Sequence, residues 1–232
     1  MCCGCGAKRK GLKADSGEGY SDKEKGYGLI YMLPEGSTMV HLPDFYGCIC
    51  QPRNRQIPLG VKEGRAWCYD NDCFNGGFDP FAWWTTLTKL FPYRKQCLFI
   101  AAPDVVGNAY ATKALWYEWY PRLKSIKLPV AYVVQNGQAN LDFPEKFDWI
   151  FVGGDDDFKE GDEGARCIKL AKALGKRVHM GRVNSYRRLR YAKLMGCDTV
   201  DGTYICFGKD INTPKLTNMM NRVIGDKQCS LF

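Results

Sequence analysis

Six short apolar runs each close on a polar or glycine residue. The closing residues are Asp70, Asp104, Gln135, Gly153 with Gly154, His179 with Met180 and Gly181, and Asp201. A carboxylate can act as nucleophile, as general acid or base, or as acceptor for the donor edge of a heterocyclic base. A glutamine amide both donates and accepts. Adjacent glycines let a flat ligand approach backbone N–H groups. Each residue also has an ordinary structural use. Asp70 and Asp104 suit caps for the helices after them, Gln135 and Asn136 suit a turn, Gly153–Gly154 suits a tight connection, and Asp201 precedes Gly202 in a common turn pair. Singly, each structural use suffices. Three acids and a glutamine at four strand ends of one sheet argue for a site.

The elements that must position these residues follow from periodicity. The runs AWCYD (66–70), QCLFIAAPD (96–104), PVAYVVQNG (129–137), WIFVGG (149–154), RVHMG (177–181) and TVDGTYICF (199–207) have the length of buried strands. Between most of them lie amphipathic segments of helical length: FDPFAWWTTLTKLF, NAYATKALWYEWYPRLKS, GDEGARCIKLAKALG and SYRRLRYAKLMG, with TPKLTNMMNRVIG after the sixth run. The 137–149 connection has room for a turn only. Continuous apolar strands alternating with helices predict a parallel sheet covered by helices, either open and doubly wound or closed as a (β/α)8 barrel of the TIM type. No G-x-G-x-x-G follows the first strand, which weighs against dinucleotide binding. GLIYML and TMVHLP can supply the two remaining strands of a barrel. The chain has 232 residues against roughly 250 for a typical barrel, so the expectation is a compact α/β TIM (β/α)8-type barrel, irregular at its N-terminal strands. Sites in such folds lie at the C-terminal strand ends. Residues 1–27, rich in Gly, Lys, Ser and Glu, are expected to form a flexible basic tail containing cysteines, and residues 28–232 a single domain.

In order along the chain, these strand ends resemble the tRNA-guanine transglycosylase superfamily, TIM barrels that exchange a guanine base for a 7-deazaguanine. The family's Asp-Ser-Gly-Gly-Phe segment is similar to Asp70-Asn71-Asp72-Cys73-Phe74, and its base-binding acid on the next strand to Asp104 in AAPD. Its Val-Gln-Gly-Gly strand end is similar to Val134-Gln135-Asn136-Gly137, its Gly-Gly loop to Gly153-Gly154, and its Leu-Met-Gly strand end to His179-Met180-Gly181. Its Gly-Ile-Asp-x-Phe-Asp segment has the register of Gly196-Cys197-Asp198-Thr199-Val200-Asp201. The resemblance covers residues 66 to 207. The family's tRNA enzymes carry a Cys-x-Cys-x-x-Cys…His zinc site after the nucleophile. Here only Cys206 and Cys229 follow, with no His, and the chain is much shorter. Both departures make it most similar to the compact phage-type DNA 7-deazaguanine transglycosylases.

The resemblance implies a transferase that exchanges guanine in DNA for a 7-deazaguanine of the queuosine-precursor kind. A transglycosylase acting on tRNA and a catalytically silent nucleic-acid-binding barrel are the alternatives. Base exchange with retained configuration needs two inversions through a covalent glycosyl–carboxylate intermediate. Asp201 is the implied nucleophile and Asp70 the acid/base. Asp104, Gln135, Gly153, Gly154, Met180 and Gly181 are the implied base-binding set: Asp104 for guanine N1–H and the 2-amino group, Gln135 and the Gly154 N–H for O6, Met180 against the ring face. The base must be flipped out or single-stranded to arrive there. Phosphate contacts then require nearby positive charge. Arg182 and Asn184 follow the fifth of the six strand ends in a loop and are read as nucleic-acid contacts. Arg187 and Arg188, with Arg190 and Lys193, fall on a helix, where a solvated face is an equal reading.

Composition bounds these readings. Formal net charge is +8, which favours a polyanionic partner such as DNA or tRNA. At 45% hydrophobic and 13% aromatic residues the chain can bury a core. No apolar run approaches the roughly 18 residues of a membrane span, and no charged-then-apolar leader opens the sequence. A soluble cytoplasmic protein is expected, in the host cytoplasm if phage-encoded. Among twelve cysteines, Cys97, Cys167, Cys197 and Cys206 lie in apolar runs and read as small buried hydrophobes. Cys2, Cys3, Cys5, Cys48 and Cys50 lack C-x-x-C spacing, so no metal or other cofactor is expected, with a zinc site on those five as the alternative. One histidine near the strand ends, His179, is too few for a His-rich metal centre.

Overall fold

The computed structural model describes residues 28–34, 42–53 and 56–226. Eight parallel strands close into a barrel: β1 (Ile30–Leu33), β2 (Tyr46–Cys50), β3 (Trp67–Tyr69), β4 (Cys97–Ala101), β5 (Val130–Val134), β6 (Trp149–Val152), β7 (Arg177–Met180) and β8 (Thr199–Asp201). The seam pairs β1 with β8, setting Met32 beside Asp201. The expected TIM-type barrel is therefore present. Its helices are α1 (Leu59–Lys62), α2 (Pro80–Leu90), α3 (Ala109–Ser125), α4 (Asp156–Glu160), α5 (Asp162–Ala173), α6 (Tyr186–Leu194) and α7 (Lys209–Gly225). The β5–β6 connection carries only a three-residue 3₁₀ turn, Gln138–Asn140.

The strands read as unbroken apolar runs because both faces are buried. Alternate residues separate two cores. Met32, Ile49, Cys68, Phe99, Ala131, Trp149 and Phe151 fill the barrel interior. Tyr31, Cys48, Cys50, Tyr69, Tyr132, Ile150, Val178, Met180 and Val200 join the layer between sheet and helices. Helix starts are fixed by local chemistry. Asp79 accepts from the N–H groups of Phe81 and Ala82 with Pro80 in the first turn, and Asn108 accepts from the Ala111 N–H. The caps of the helices after β3 and β4 are thus Asp79 and Asn108, not Asp70 and Asp104.

Three expectations are corrected. The second strand is Tyr46–Cys50 rather than TMVHLP, whose residues 42–43 are loop and whose residues 38–41 lie outside the described residues. The run 199–207 is a strand only to Asp201. Residues 204–207 form a surface 3₁₀ turn, which leaves Cys206 exposed rather than buried. Cys48 and Cys50 sit buried on the outer face of β2, where burial pushes the Cys48 thiol up to about 12. Cys2, Cys3, Cys5 and the 1–27 tail lie outside the described residues. Among the described residues no three His, Cys, Asp or Glu side chains gather as a metal site, and no helix is long and apolar enough to cross a membrane.

Candidate active site at the C-terminal end of the barrel

A cavity of about 330 Å³ opens where the strands end. Asp70, Asp104, Gln135, Gly153, Gly154, Gly181, Arg182, Asn184 and Asp201 all line it, from the loops after β3, β4, β5, β6 and β7 and from the last residue of β8. Val133, Phe151 and Phe74 supply apolar wall. This mixture of apolar wall and a few convergent polar groups is the usual make-up of a small-molecule site.

Asp70 follows β3. Its Oδ2 accepts from Gln51 Nε2 at 3.0 Å, and its Oδ1 accepts from the Asn71 N–H at 2.8 Å. Burial raises its carboxyl from 3.8 to about 6; the Gln51 bond opposes that rise and the negative charge of Asp201 adds to it. Asp104, after β4, is gripped by two amides. Asn71 Nδ2 donates to its Oδ1 at 2.6 Å, and Gln135 Nε2 to its Oδ2 at 2.6 Å. Burial raises its pKa as well, against those two bonds. Asp201 Oδ1 accepts the Arg182 backbone N–H at 3.2 Å and lies 3.1 Å from His179 Nε2.

Gln135 is fully committed in orientation. Its Oε1 accepts from the N–H groups of Gly107 at 2.9 Å and Gly154 at 2.8 Å, which forces Nε2 toward Asp104. The glycine pair serves this arrangement. A Cβ on Gly153 would stand 2.6 Å from Gln135 Nε2, and Gly154 has φ +68°. The Gly154 N–H is therefore engaged by Gln135 rather than open to a guanine O6, a correction to its expected role.

Arg182 has φ 60°, unusual for a residue with a Cβ; in this conformation its N–H meets Asp201. Its Nη2 donates to Gly154 O at 2.5 Å and its guanidinium stacks 4.3 Å from the exposed Phe74 ring. Asn184 Oδ1 accepts from the Thr203 N–H, so it braces the loop after β8.

Three expected site residues stand elsewhere. Met180 is buried in the sheet–helix layer, because alternation along β7 sends it outward and His179 inward. It cannot lie against a base in the cavity. Arg187 pairs with Glu160, and Arg188 pairs with Asp156 and Glu160 on the flank of α4, outside the cavity. Their charge is matched by acids, not offered at the mouth.

Gln51, Asn71, Phe74 and Phe151 are cavity residues to which sequence reasoning gave no role. Gln51 carried a signal: it is the polar residue closing the run YGCIC, the same pattern as Asp70 after AWCY.

No family model matches the chain, and no curated protein matches it. Among solved structures, tryptophan synthase from M. tuberculosis in its aminoacrylate- and BRD0059-bound form is similar at a TM-score of 0.48 and 11% identity, over 84% of this chain and 90% of that one. The 3-hexulose-6-phosphate synthase from Salmonella typhimurium is similar at a TM-score of 0.45 and 14% identity, over 84% of this chain and 98% of that one. Likeness of this degree carries no argument about chemistry. The fold assignment rests on the eight-strand closure itself.

Proposed function

We propose that the chain is a base-exchange glycosyltransferase that replaces guanine in DNA by a 7-deazaguanine derivative through a covalent ester on Asp201. The observation that carries this reading is one cavity with two dissimilar carboxylates. Asp70 has its pKa raised to about 6, and Asp201 is hydrogen-bonded by the Arg182 backbone N–H. Two acids in unlike environments supply a proton donor and an anionic nucleophile from the same residue type.

In the first step an Asp201 oxygen bonds to C1′ of the nucleotide. The C1′–N9 bond breaks, its electron pair leaves with guanine, and Asp70 gives the departing base its proton. In the second step the Asp70 carboxylate takes the N9 proton of the incoming 7-deazaguanine. The freed N9 pair attacks C1′ and the ester bond to Asp201 breaks. Two inversions restore the configuration. Asp104 supports recognition: each of its oxygens accepts one amide bond, the Cys73 thiol is a third partner of the carboxylate, and the acceptor capacity that is left meets the N1–H and 2-amino edge of guanine. Its two amide partners fix the carboxylate plane before the base arrives, which lowers the ordering cost of binding.

The choice of DNA over tRNA rests on the resemblance of the stretch VHMGRVNSYRRLRYAKLMGCDTVDGT (178–203) to the compact DNA-acting branch. Labelled guanine exchange into DNA and tRNA, run in parallel, tests the assignment. Label entering DNA is the expected result. Label entering tRNA alone overturns the polymer, and label entering neither overturns the reaction.

A further inference from the structure

The steps above leave without a role one side chain buried in the barrel interior against Asp201. His179 on β7 is fully buried, its ring 4.4 Å from Phe151 and 5.1 Å from Phe99 between centroids. An aliphatic side chain would satisfy those two rings. An imidazole is costly to bury unless both nitrogens are bonded. Here both are. Nδ1 lies 2.8 Å from Thr199 Oγ1, and Nε2 lies 3.1 Å from Asp201 Oδ1. An ionised carboxylate only accepts, so Nε2 carries the proton. In the neutral ring Nδ1 then accepts from the Thr199 hydroxyl, and the tautomer is set by both neighbours.

The second anchor on Asp201, the Arg182 N–H, also falls on Oδ1. Among the described residues Oδ2 has no hydrogen-bond partner.

We propose that His179 is the positioning residue of Asp201: with the Arg182 N–H it holds Oδ1, and so presents Oδ2 as the atom that attacks C1′. The identity of the attacked carbon rests on the transglycosylase reading. The anchoring of Asp201 does not. Two bonds on one oxygen fix both the rotation and the tilt of the carboxylate. Loss of the side-chain anchor leaves Asp201 present but misaimed, and misplacement of a reacting group by about 1 Å costs on the order of 10²-fold in rate.

His179→Leu fills a similar volume without a donor. His179→Gln restores an N–H near the position of Nε2. In the base-exchange assay, His179→Leu is expected to lower kcat about 10²-fold with the KM for base and the Kd for DNA unchanged, and His179→Gln to recover most of the loss. A purely structural role would lower the melting temperature of both variants and would not separate kcat from KM. If His179→Leu fails the melting check, His179→Asn replaces it, since its amide is too short to reach Asp201 while Thr199 stays within reach. The chain has two histidines, so a long-range ¹H–¹⁵N spectrum compared with that of His179→Gln assigns the His179 ring. A ring protonated at Nε2 at neutral pH is expected.

Wild-type kcat in the donor-less variant overturns the proposal, as does a ring protonated at Nδ1 alone. A wild-type protein that exchanges no base into either polymer overturns the transglycosylase reading instead, and the tautomer then decides the anchor by itself.

Discussion

Replacing Asp70 by asparagine is expected to make the protein more stable at neutral pH and far less active. Burial, joined by the charge of Asp201, lifts the Asp70 carboxyl from 3.8 to about 6 in spite of the Gln51 bond. A folded-state pKa above the unfolded one means that the native state pays to keep the group ionised. The penalty is absent below pH ~4, grows as the pH rises from about 4 to about 6, and is full above that. A shift of about two units at about 1.4 kcal/mol each sets an upper limit of about 3 kcal/mol, reduced by solvent screening because Asp70 is only partly buried. Asparagine has one acceptor oxygen, so either Gln51 or the Asn71 N–H loses its partner, at about 1 kcal/mol regardless of pH. Urea denaturation of both proteins near pH 4 and near pH 8 separates the two contributions. The stability difference, variant minus wild type, is expected to rise with pH by up to about 3 kcal/mol. A difference that is flat across that range would refute the argument that Asp70 is held ionised at a cost, and with it the reason for choosing Asp70 as the acid. The same variant should lose about 10²–10⁴-fold in exchange rate.

Four further outcomes follow from the same geometry. The exchange rate of the wild type should show a limb near pH 6 from Asp70, and that limb should vanish in Asp70→Asn; a rate–pH profile checks it. Asp201→Asn should abolish the denaturation-resistant protein–DNA adduct and lower exchange by several orders of magnitude while DNA binding survives, as gel trapping and a binding titration would show. Met180→Leu should leave the KM for the base unchanged, because the side chain sits in the outer layer; a raised KM would return Met180 to the site. Arg187→Ala should change neither DNA affinity nor its salt dependence, since the exposed guanidinium is already paired with Glu160, and Arg188→Ala should instead cost about 1 kcal/mol of stability through Asp156 and Glu160.

The alternation of buried strands with helices is written in the sequence, because strands covered on both faces must be apolar throughout and surface helices must be apolar on one. That made the barrel legible, along with the strand-end acids Asp70, Asp104 and Asp201. The same uniform apolarity hides which residue of a strand faces in. His179 and Met180 are adjacent in a four-residue strand, and nothing in RVHM says which one faces the barrel interior; closure of the barrel assigns the histidine to the interior and the methionine to the helices. β2 was obscured for a related reason: YGCIC is short, lacks polar alternation, and comes after TMVHLP, a segment of more strand-like composition. Contacts between residues far apart in the chain were beyond reach altogether. Gln51 meets Asp70 from 19 positions away, Gln135 meets Asp104 from 31, and Arg188 meets Asp156 from 32. Residue type decided that these groups can bond. Only the eight-strand closure, which brings successive strand ends to one face, decided with whom, and it turned two glycines and a glutamine expected to hold a ligand into the frame that holds Asp104.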